Sequence, residues 1–172
     1  MSTSFVITVV SDDHPGIVEI LSQVVSDHGG NWAESSMMCL AGKFAGILLV
    51  QIPGGQADSF INALNALESK GMQIVAKRSG QESKTSSAQE HTIELVGQDH
   101  PGIVHEITEV LARHAINVQE LETTVQSASM SGESLFIAHA RIFIPPEVSL
   151  DQLQDEMEKL ANELMVDIKL ED

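Results

Sequence analysis

The chain has 172 residues, 42% of them apolar, and a formal net charge of −16. No apolar run reaches the roughly 18 residues that a membrane span needs, so no span is expected. The acidic charge argues against direct nucleic-acid binding, which depends on lysine and arginine neutralising phosphates. One cysteine cannot form an internal disulfide, and the first residues show no signal-peptide pattern. We therefore expect a cytoplasmic protein.

A six-residue segment, Asp-His-Pro-Gly-Ile-Val, occurs twice, at residues 13–18 and 99–104. Residues 5–38 align with residues 91–124 without a gap and with 12 identities in 34 positions, where chance gives about two. The chain is therefore a duplicated unit. We predict one domain at residues 1–78, a second at 91–172, and a flexible linker at 79–90, which contains no large apolar residue.

The first unit opens with an apolar, β-branched segment that predicts a buried strand. A turn follows, and Pro15 suits the first position of a helix because its missing N–H would have no partner there. Gly29 and Gly30 end that helix. The pattern then predicts two strands, a helix that Gly71 stops, and a short last strand. The predicted elements are a strand at 5–10, a helix at 15–28, strands at 31–40 and 44–52, a helix at 56–70 and a strand at 72–77.

The second unit repeats this order with a longer hairpin between its second and third strands. Pro145 and Pro146 end the third strand, and Ser149 caps the last helix. The predicted elements are a strand at 91–96, a helix at 101–114, a strand at 117–127, a turn at 128–133, a strand at 135–144, a helix at 149–163 and a strand at 165–170.

Each unit thus has the order βαββαβ. Right-handed crossovers convert that order into a four-stranded antiparallel sheet with two helices on one face, so we predict an α+β protein of two tandem ferredoxin-like units. The other sheet face needs a cover, and the paired unit is the obvious candidate. An RNA-binding version would need basic residues and exposed aromatics on the central strands, and a metal-carrier version would need paired cysteines in the first loop. The sequence has neither.

The repeated loop has the features of a ligand site. A helix N-terminus presents unpaired N–H groups and partial positive charge, which suit a carboxylate or a phosphate. Gly16 and Gly102 leave room for a ligand to approach this backbone. Asp13 and Asp99 stand just before the helices and can face an ammonium group. A free amino acid carries both charges close together, so the loop suits such a ligand.

Other polar residues accompany the loop. Asn31 and Asn117 begin the second strand of each unit, and we expect their amides beside the loop. His14 and His100 can contact a ligand, although a solvated residue at a helix cap explains them equally well. The alternative stays open, because Asp-x-Pro-Gly is also an ordinary way to turn a strand into a helix.

The loop sequence, the βαββαβ order and the asparagine after the first helix resemble the ACT domain, a family of amino-acid-binding regulatory modules. The resemblance covers residues 4–78 and 90–170. Two such units without an attached enzyme resemble most the glycine cleavage system transcriptional repressor family. That resemblance implies a regulator that senses a small amino acid such as glycine. It also implies contact with a DNA-binding transcriptional activator protein in place of direct nucleic-acid contact.

The resemblance also implies where the ligand lies. Ligands of ACT units lie between paired units, within one chain or in a homodimer, against the first loop and the start of the second strand. Trp32 becomes Val118 beside the asparagine, so we do not expect the two units to bind equally. No catalytic residue, metal or cofactor is implied. The implied ligand-binding residues are Asp13, His14, Gly16, Ile17, Asn31, Asp99, His100, Gly102, Ile103 and Asn117.

Two other functions compete with the sensor. Some enzymes carry ACT units, but their chemistry lies in another domain. The sequence shows no nucleophile elbow, phosphate-binding loop or paired metal ligands, so we expect no enzymatic activity. An assembly module that binds no small molecule and presents only a sheet edge or face to partners is the stronger alternative.

Overall fold

The computed structural model describes residues 1–80, 87–127 and 132–171, which form two compact units. Of the described residues, those up to Gly80 belong to the first unit and those from Ser87 onward belong to the second. In the first unit the elements are β1 (Ser2–Asp12), α1 (Ile17–Asp27), β2 (Asn31–Leu40), β3 (Lys43–Pro53), α2 (Ala57–Ala66) and β4 (Gln73–Arg78). In the second they are β5 (Gln89–Gln98), α3 (Ile103–Arg113), β6 (Asn117–Ser127), β7 (Ser134–Ile144), α4 (Leu150–Leu164) and β8 (Val166–Glu171).

The strand order is β2-β3-β1-β4 in one sheet and β6-β7-β5-β8 in the other, and neighbouring strands are antiparallel. This order confirms the predicted pair of α+β, ferredoxin-like units. The two central strands of each sheet are the first and third of the unit, so the second strand forms an edge. Consequently β2 and β6 each have one side without a strand neighbour in their sheet.

The core of the first unit follows from two periodicities. Alternate residues of β1 point inward, and Phe5, Ile7 and Val9 are almost fully buried. Helix α1 contributes residues 17, 21 and 25, at intervals of four, and α2 adds Phe60 and Leu64. Both helices therefore pack on the same sheet face.

The second unit has an equivalent core. Ile93 and Leu95 face inward from β5, and α3 and α4 cover them. The buried helical residues are Ile103, Ile107, Val110, Leu111, Leu153, Met157, Leu160 and Leu164. A separate core in each half explains how the repeat can fold as two domains.

The outer faces of the two sheets differ in chemistry. On the first sheet Val10, Ile47 and Val75 are 46%, 49% and 55% exposed, so this face carries exposed apolar side chains. On the second sheet the Arg141 guanidinium lies 2.9 Å from the Glu120 carboxylate. The duplication thus preserved the inner faces, while the outer faces diverged.

Some boundaries differ from the sequence prediction. Helix α1 begins at Ile17, not at Pro15, because Gly16 adopts a left-handed conformation that no helix interior contains. The predicted helix at 56–70 is α2 followed by a tighter 3-10 turn at residues 67–70. Strand β5 begins at Gln89, within the predicted linker. Linker residues 81–86 and turn residues 128–131 lie outside the described residues.

Replacing Phe60 by alanine should lower the free energy of unfolding of the first unit by about 3–5 kcal/mol. Phe60 is completely buried, its ring centroid lies 5.7 Å from that of Phe5, and truncation would leave a cavity. Denaturant unfolding followed by the fluorescence of Trp32, the one tryptophan, reports on this unit. The exposed Val75→Ala is the control and should change stability by less than about 0.5 kcal/mol. Equal losses in both variants would contradict the described core.

Candidate functional site

The first loop joins β1 to α1 through residues 13–16. Gly16 has φ of 96°, and its carbonyl accepts a hydrogen bond from the Ile20 N–H at 2.9 Å. The Asp13 N–H donates to the Gly42 carbonyl at 3.0 Å, which ties the loop to the β2–β3 turn. No side chain caps the helix, and a Cβ added to Gly16 would meet no atom within 4 Å. The first helical turn therefore has no side-chain cap on its N–H groups, and the space beside Gly16 is open.

The second loop, residues 99–102, has nearly the same backbone. Gly102 has φ of 93°, and the Asp99 N–H donates to the Ser134 carbonyl at 2.9 Å. One difference matters for a ligand: Glu106 Oε1 lies 3.5 Å from the place that a Gly102 Cβ would take. The matching residue of the first unit is Ile20. A carboxylate thus already stands beside the second helix start, where an anionic ligand would have to bind.

Both loop histidines fold back onto their own turn. His14 Nδ1 lies 3.0 Å from the Pro15 carbonyl, and His100 Nδ1 lies 3.1 Å from the Pro101 carbonyl. A carbonyl can only accept, so Nδ1 carries the proton and, in the neutral ring, Nε2 is an acceptor. Nε2 of His100 is buried and has no hydrogen-bond partner in the described part of the chain. The histidines therefore shape the turns, and in the described residues the buried Nε2 of His100 has no hydrogen-bond partner.

Two residues that the sequence analysis missed lie beside the first loop. One is Lys43, whose ammonium pairs with the Asp12 carboxylate. The pKa of Asp12 is lowered, mainly because Lys43 donates this hydrogen bond, and further by the charges of Lys43 and His14. The other is Cys39, whose thiol lies beside Asp13. The pKa of Cys39 is raised, and the largest cause is its hydrogen bond to the Asp13 carboxylate. Both residues flank the β2–β3 turn, which the antiparallel pairing of β1, β3 and β2 places next to the loop.

Asn31 does not lie beside the loop of its own unit, contrary to the sequence prediction. Asn31 pairs with Gln51, which pairs with Ser4 near the start of β1. The loop follows Asp12, and the eight residue steps from Ser4 to Asp12 span about 26 Å of strand. The reason is topological: α1 returns the chain to the beginning of β1 before β2 starts.

The second unit shows the same separation. Asn117 pairs with Phe143, and Phe143 pairs with Glu90 near the start of β5. Gln98, just before the loop, lies at the other end of that strand. A small ligand at either loop therefore cannot touch the asparagine of the same unit.

Ile17 and Ile103 are each only 3% exposed, with side chains in the core. Their contribution to a ligand site is therefore limited to their backbone N–H groups. The structure brings together the aspartate, the histidine, the glycine and this N–H in each unit. Within one unit the structure thus places four of the five implied residues together, and the part of the asparagine in ligand binding stays a prediction.

We searched the described residues for clusters of metal ligands and for helices able to cross a membrane, and found neither. Among them, no three histidine, cysteine, aspartate or glutamate side chains cluster as metal ligands would. None of their helices combines the length and apolar character that crossing a bilayer requires.

Comparison with known proteins matches each half separately. Residues 3–77 and residues 91–162 each match a family described as the ACT domain. A UPF0237 protein from Methanopyrus kandleri is 32% identical over 77 residues, which are 44% of this chain and 79% of that protein.

Two solved structures match nearly the whole length of the chain. A protein of unknown function from Galdieria sulphuraria is 32% identical, covers 99% of this chain and 98% of its own, and has a TM-score of 0.88. A proposed glycine cleavage system transcriptional repressor is 21% identical, covers 99% of this chain and 96% of its own, and has a TM-score of 0.68. The second likeness shows a shared fold.

Replacing Asp13 by alanine should lower the pKa of Cys39, because the carboxylate that stabilises the protonated thiol is removed. More thiolate is then present at a given pH, so iodoacetamide should alkylate the protein faster below the thiol pKa. The pH profile of the alkylation rate measures this shift, and Cys39 is the one cysteine. Asp27→Ala, at the other end of α1, is the control. An unchanged profile in Asp13→Ala would show that Asp13 does not face the thiol.

Proposed function

The chain belongs to the ACT-domain family in both of its halves, and from this premise we propose that it is a regulatory protein that responds to a small amino acid. The observation that carries the proposal is the open, uncapped helix start behind Asp13 in the first unit. The ligand carboxylate accepts hydrogen bonds from N–H groups of the first turn of α1, including that of Ile17. The ligand ammonium faces Asp13, and His14 Nε2 accepts a further hydrogen bond.

A small ligand such as glycine suits this place best. The space beside Gly16 is open, and the loop offers backbone groups and one carboxylate. The second loop, with Asp99, His100, Gly102 and the Ile103 N–H, is proposed as a weaker site, because Glu106 repels the ligand carboxylate there. Asn31 and Asn117 lie too far from the loops of their own units to contact a ligand bound there, and their part in ligand binding stays a prediction.

We further propose that the protein regulates transcription of the glycine cleavage type through contact with a DNA-binding activator protein. The net charge of −16 supports protein contact over contact with DNA, because phosphates and this surface repel each other. The name of one structural neighbour, a proposed glycine cleavage system transcriptional repressor, supports the role in transcription. Enzymatic activity is not part of the proposal, and the cytoplasmic location remains a prediction from the sequence.

A second candidate is an assembly module that binds no amino acid. The exposed Val10, Ile47 and Val75 on the outer face of the first sheet favour it, because apolar side chains grouped on one face mark contact surfaces. Ligand binding separates the two candidates.

Thermal unfolding in the presence of each of the twenty amino acids tests the sensor. A ligand at 100 times its dissociation constant adds about 2.7 kcal/mol to the stability of the folded state, which raises the Tm by several degrees in a unit of this size. We expect a shift with glycine or a close relative, lost in Asp13→Ala and mostly kept in Asp99→Ala. The absence of a shift with all twenty amino acids would favour the assembly module.

Replacing Glu106 by alanine should strengthen the second loop as a carboxylate site. The variant is made in an Asp13→Ala background, so that only the second loop responds. Removing the carboxylate beside Gly102 eliminates its repulsion of the ligand, and the Tm shift should reappear. Glu109→Ala, one turn further along α3, is the matched control. If the double variant still shows no Tm shift with the amino acid, a feature other than Glu106 weakens binding at the second loop.

A further inference from the structure

Strand β8 forms an edge of the second sheet. It lies at the end of the order β6-β7-β5-β8 and pairs with β5 alone among the described strands, so the N–H and C=O groups on its other side have no partner strand there. Exposure alternates along its six residues: Val166 is buried, Ile168 and Leu170 are half-buried, and the residues between them are exposed. Such an edge can pair with a further extended strand.

The exposed side of β8 carries charges of alternating sign. Asp167, Lys169 and Glu171 point to the same face of the sheet, because successive side chains of a strand alternate between its two faces. Within the described residues, neither Asp167 nor Lys169 forms an ion pair. Glu94 lies opposite Lys169 on β5, but its carboxylate is 3.6 Å from His139 Nδ1. Both charges of β8 are therefore available to another strand.

The charges select one register for an antiparallel pair of two β8 strands. In a symmetric pair one residue faces its own copy, and its neighbours face each other across the two-fold axis. With Asp167 or Lys169 at the centre, like charges are directly opposite, which destabilises the pair. With Ile168 at the centre, Asp167 of each copy faces Lys169 of the other, so two attractive pairs form. A centre at Leu170 would pair only residues 169–171, so Ile168 gives the longer match.

The inner side of β8 is compatible with the same register. With Ile168 at the centre, Ile168 faces its own copy and Val166 faces Leu170 of the other copy, so apolar residues meet apolar residues. Ile168 and Leu170 line a cleft of about 330 Å³ together with residues of α4. Glu158, the carboxylate that lines this cleft from α4, accepts a hydrogen bond from Gln154 Nε2 at 3.3 Å. Strand pairing would remove more of the two half-buried apolar side chains from water.

The last strand of the first unit lacks this complementarity. On the corresponding face β4 carries Gln73, Val75 and Lys77, with Lys77 the one charge among them. In a symmetric β4 pair, Lys77 would face a glutamine, a valine or its own copy. Pairing of β4 with β8 would place Lys77 opposite at most one carboxylate, so it offers one attractive contact where two β8 strands offer two. The self-complementary edge is therefore a property of the second unit.

We propose that the protein self-associates through β8, which pairs antiparallel with β8 of a second copy around Ile168 and joins two four-stranded sheets into one of eight strands. The occupant of the edge is a second copy because Asp167 and Lys169 complement each other across the two-fold axis. This interface goes beyond the proposed function, since it depends on no amino acid. The alternative is a solvated edge whose charges only prevent strand pairing.

Sedimentation velocity of the full chain over a range of concentrations tests the proposal. We expect an association step whose dissociation constant rises about tenfold or more in Lys169→Glu and in Asp167→Lys, because attractive pairs become repulsive. The double variant Asp167→Lys/Lys169→Asp restores both pairs and should regain the association. Lys77→Glu on β4 is the matched control and should leave the step unchanged. A chain that stays monomeric, a step unchanged in the single variants, or a double variant as weak as they are would each overturn the proposal.

Amide hydrogen exchange at low and high protein concentration locates the contact. Association should slow the exchange of those β8 amides that are not bonded to β5, because they become donors to the second strand. Lys169→Glu should abolish this protection. The edge strands β4 and β6 are internal references, since a dimer formed through either would protect that strand. Protection at β4 or β6 without protection at β8 would overturn the proposal.

Discussion

A left-handed glycine between the first strand and the first helix of each unit sets the course of the chain. Gly16 and Gly102 have φ of 96° and 93°, a conformation that costs L-residues with a side chain about 1 kcal/mol or more. Around Gly16 space is not the constraint, because a Cβ there would meet no neighbour. The turn directs the helix back over the sheet. Only with this direction can the apolar faces of α1 and α3 pack on the strands of their units. The same turn leaves the helix start uncapped and open.

The returning helix also decides which polar residues can act together. Because α1 and α3 run back along the first strand of their units, the second strand starts at the far end of the sheet. The loop aspartate and the asparagine of one unit are therefore separated by most of the length of a strand. Both nevertheless belong to the sequence pattern by which the chain resembles the ACT domain. Meanwhile the β2–β3 turn is brought to the loop, and with it Lys43 and Cys39, which lie about thirty residues further along the chain.

The two copies show how a duplicated fold can acquire different surfaces. The inner-face pattern is preserved, since each sheet buries a continuous apolar core. The differences lie at a few positions around that core. Ile20 and Glu106 differ beside the loop, and Trp32 and Val118 differ beside the edge strand. Changes at these places alter what can approach the unit while the core stays intact, because the residues border the packed layer and are only partly buried.

The sequence by itself determined the duplication, the order of the elements, the fold class and the position of the repeated loop. These follow from identities at a constant spacing and from local periodicity, which are properties of neighbouring residues. The helix start was placed two residues early, because Pro15 fits a first helical position and only the backbone angle of Gly16 excludes it. The distance between loop and asparagine and the approach of Glu106 to Gly102 were decided by the tertiary structure alone. Each depends on strand register or on the packing of neighbouring side chains. Both of these are fixed by contacts between residues that lie far apart in the chain.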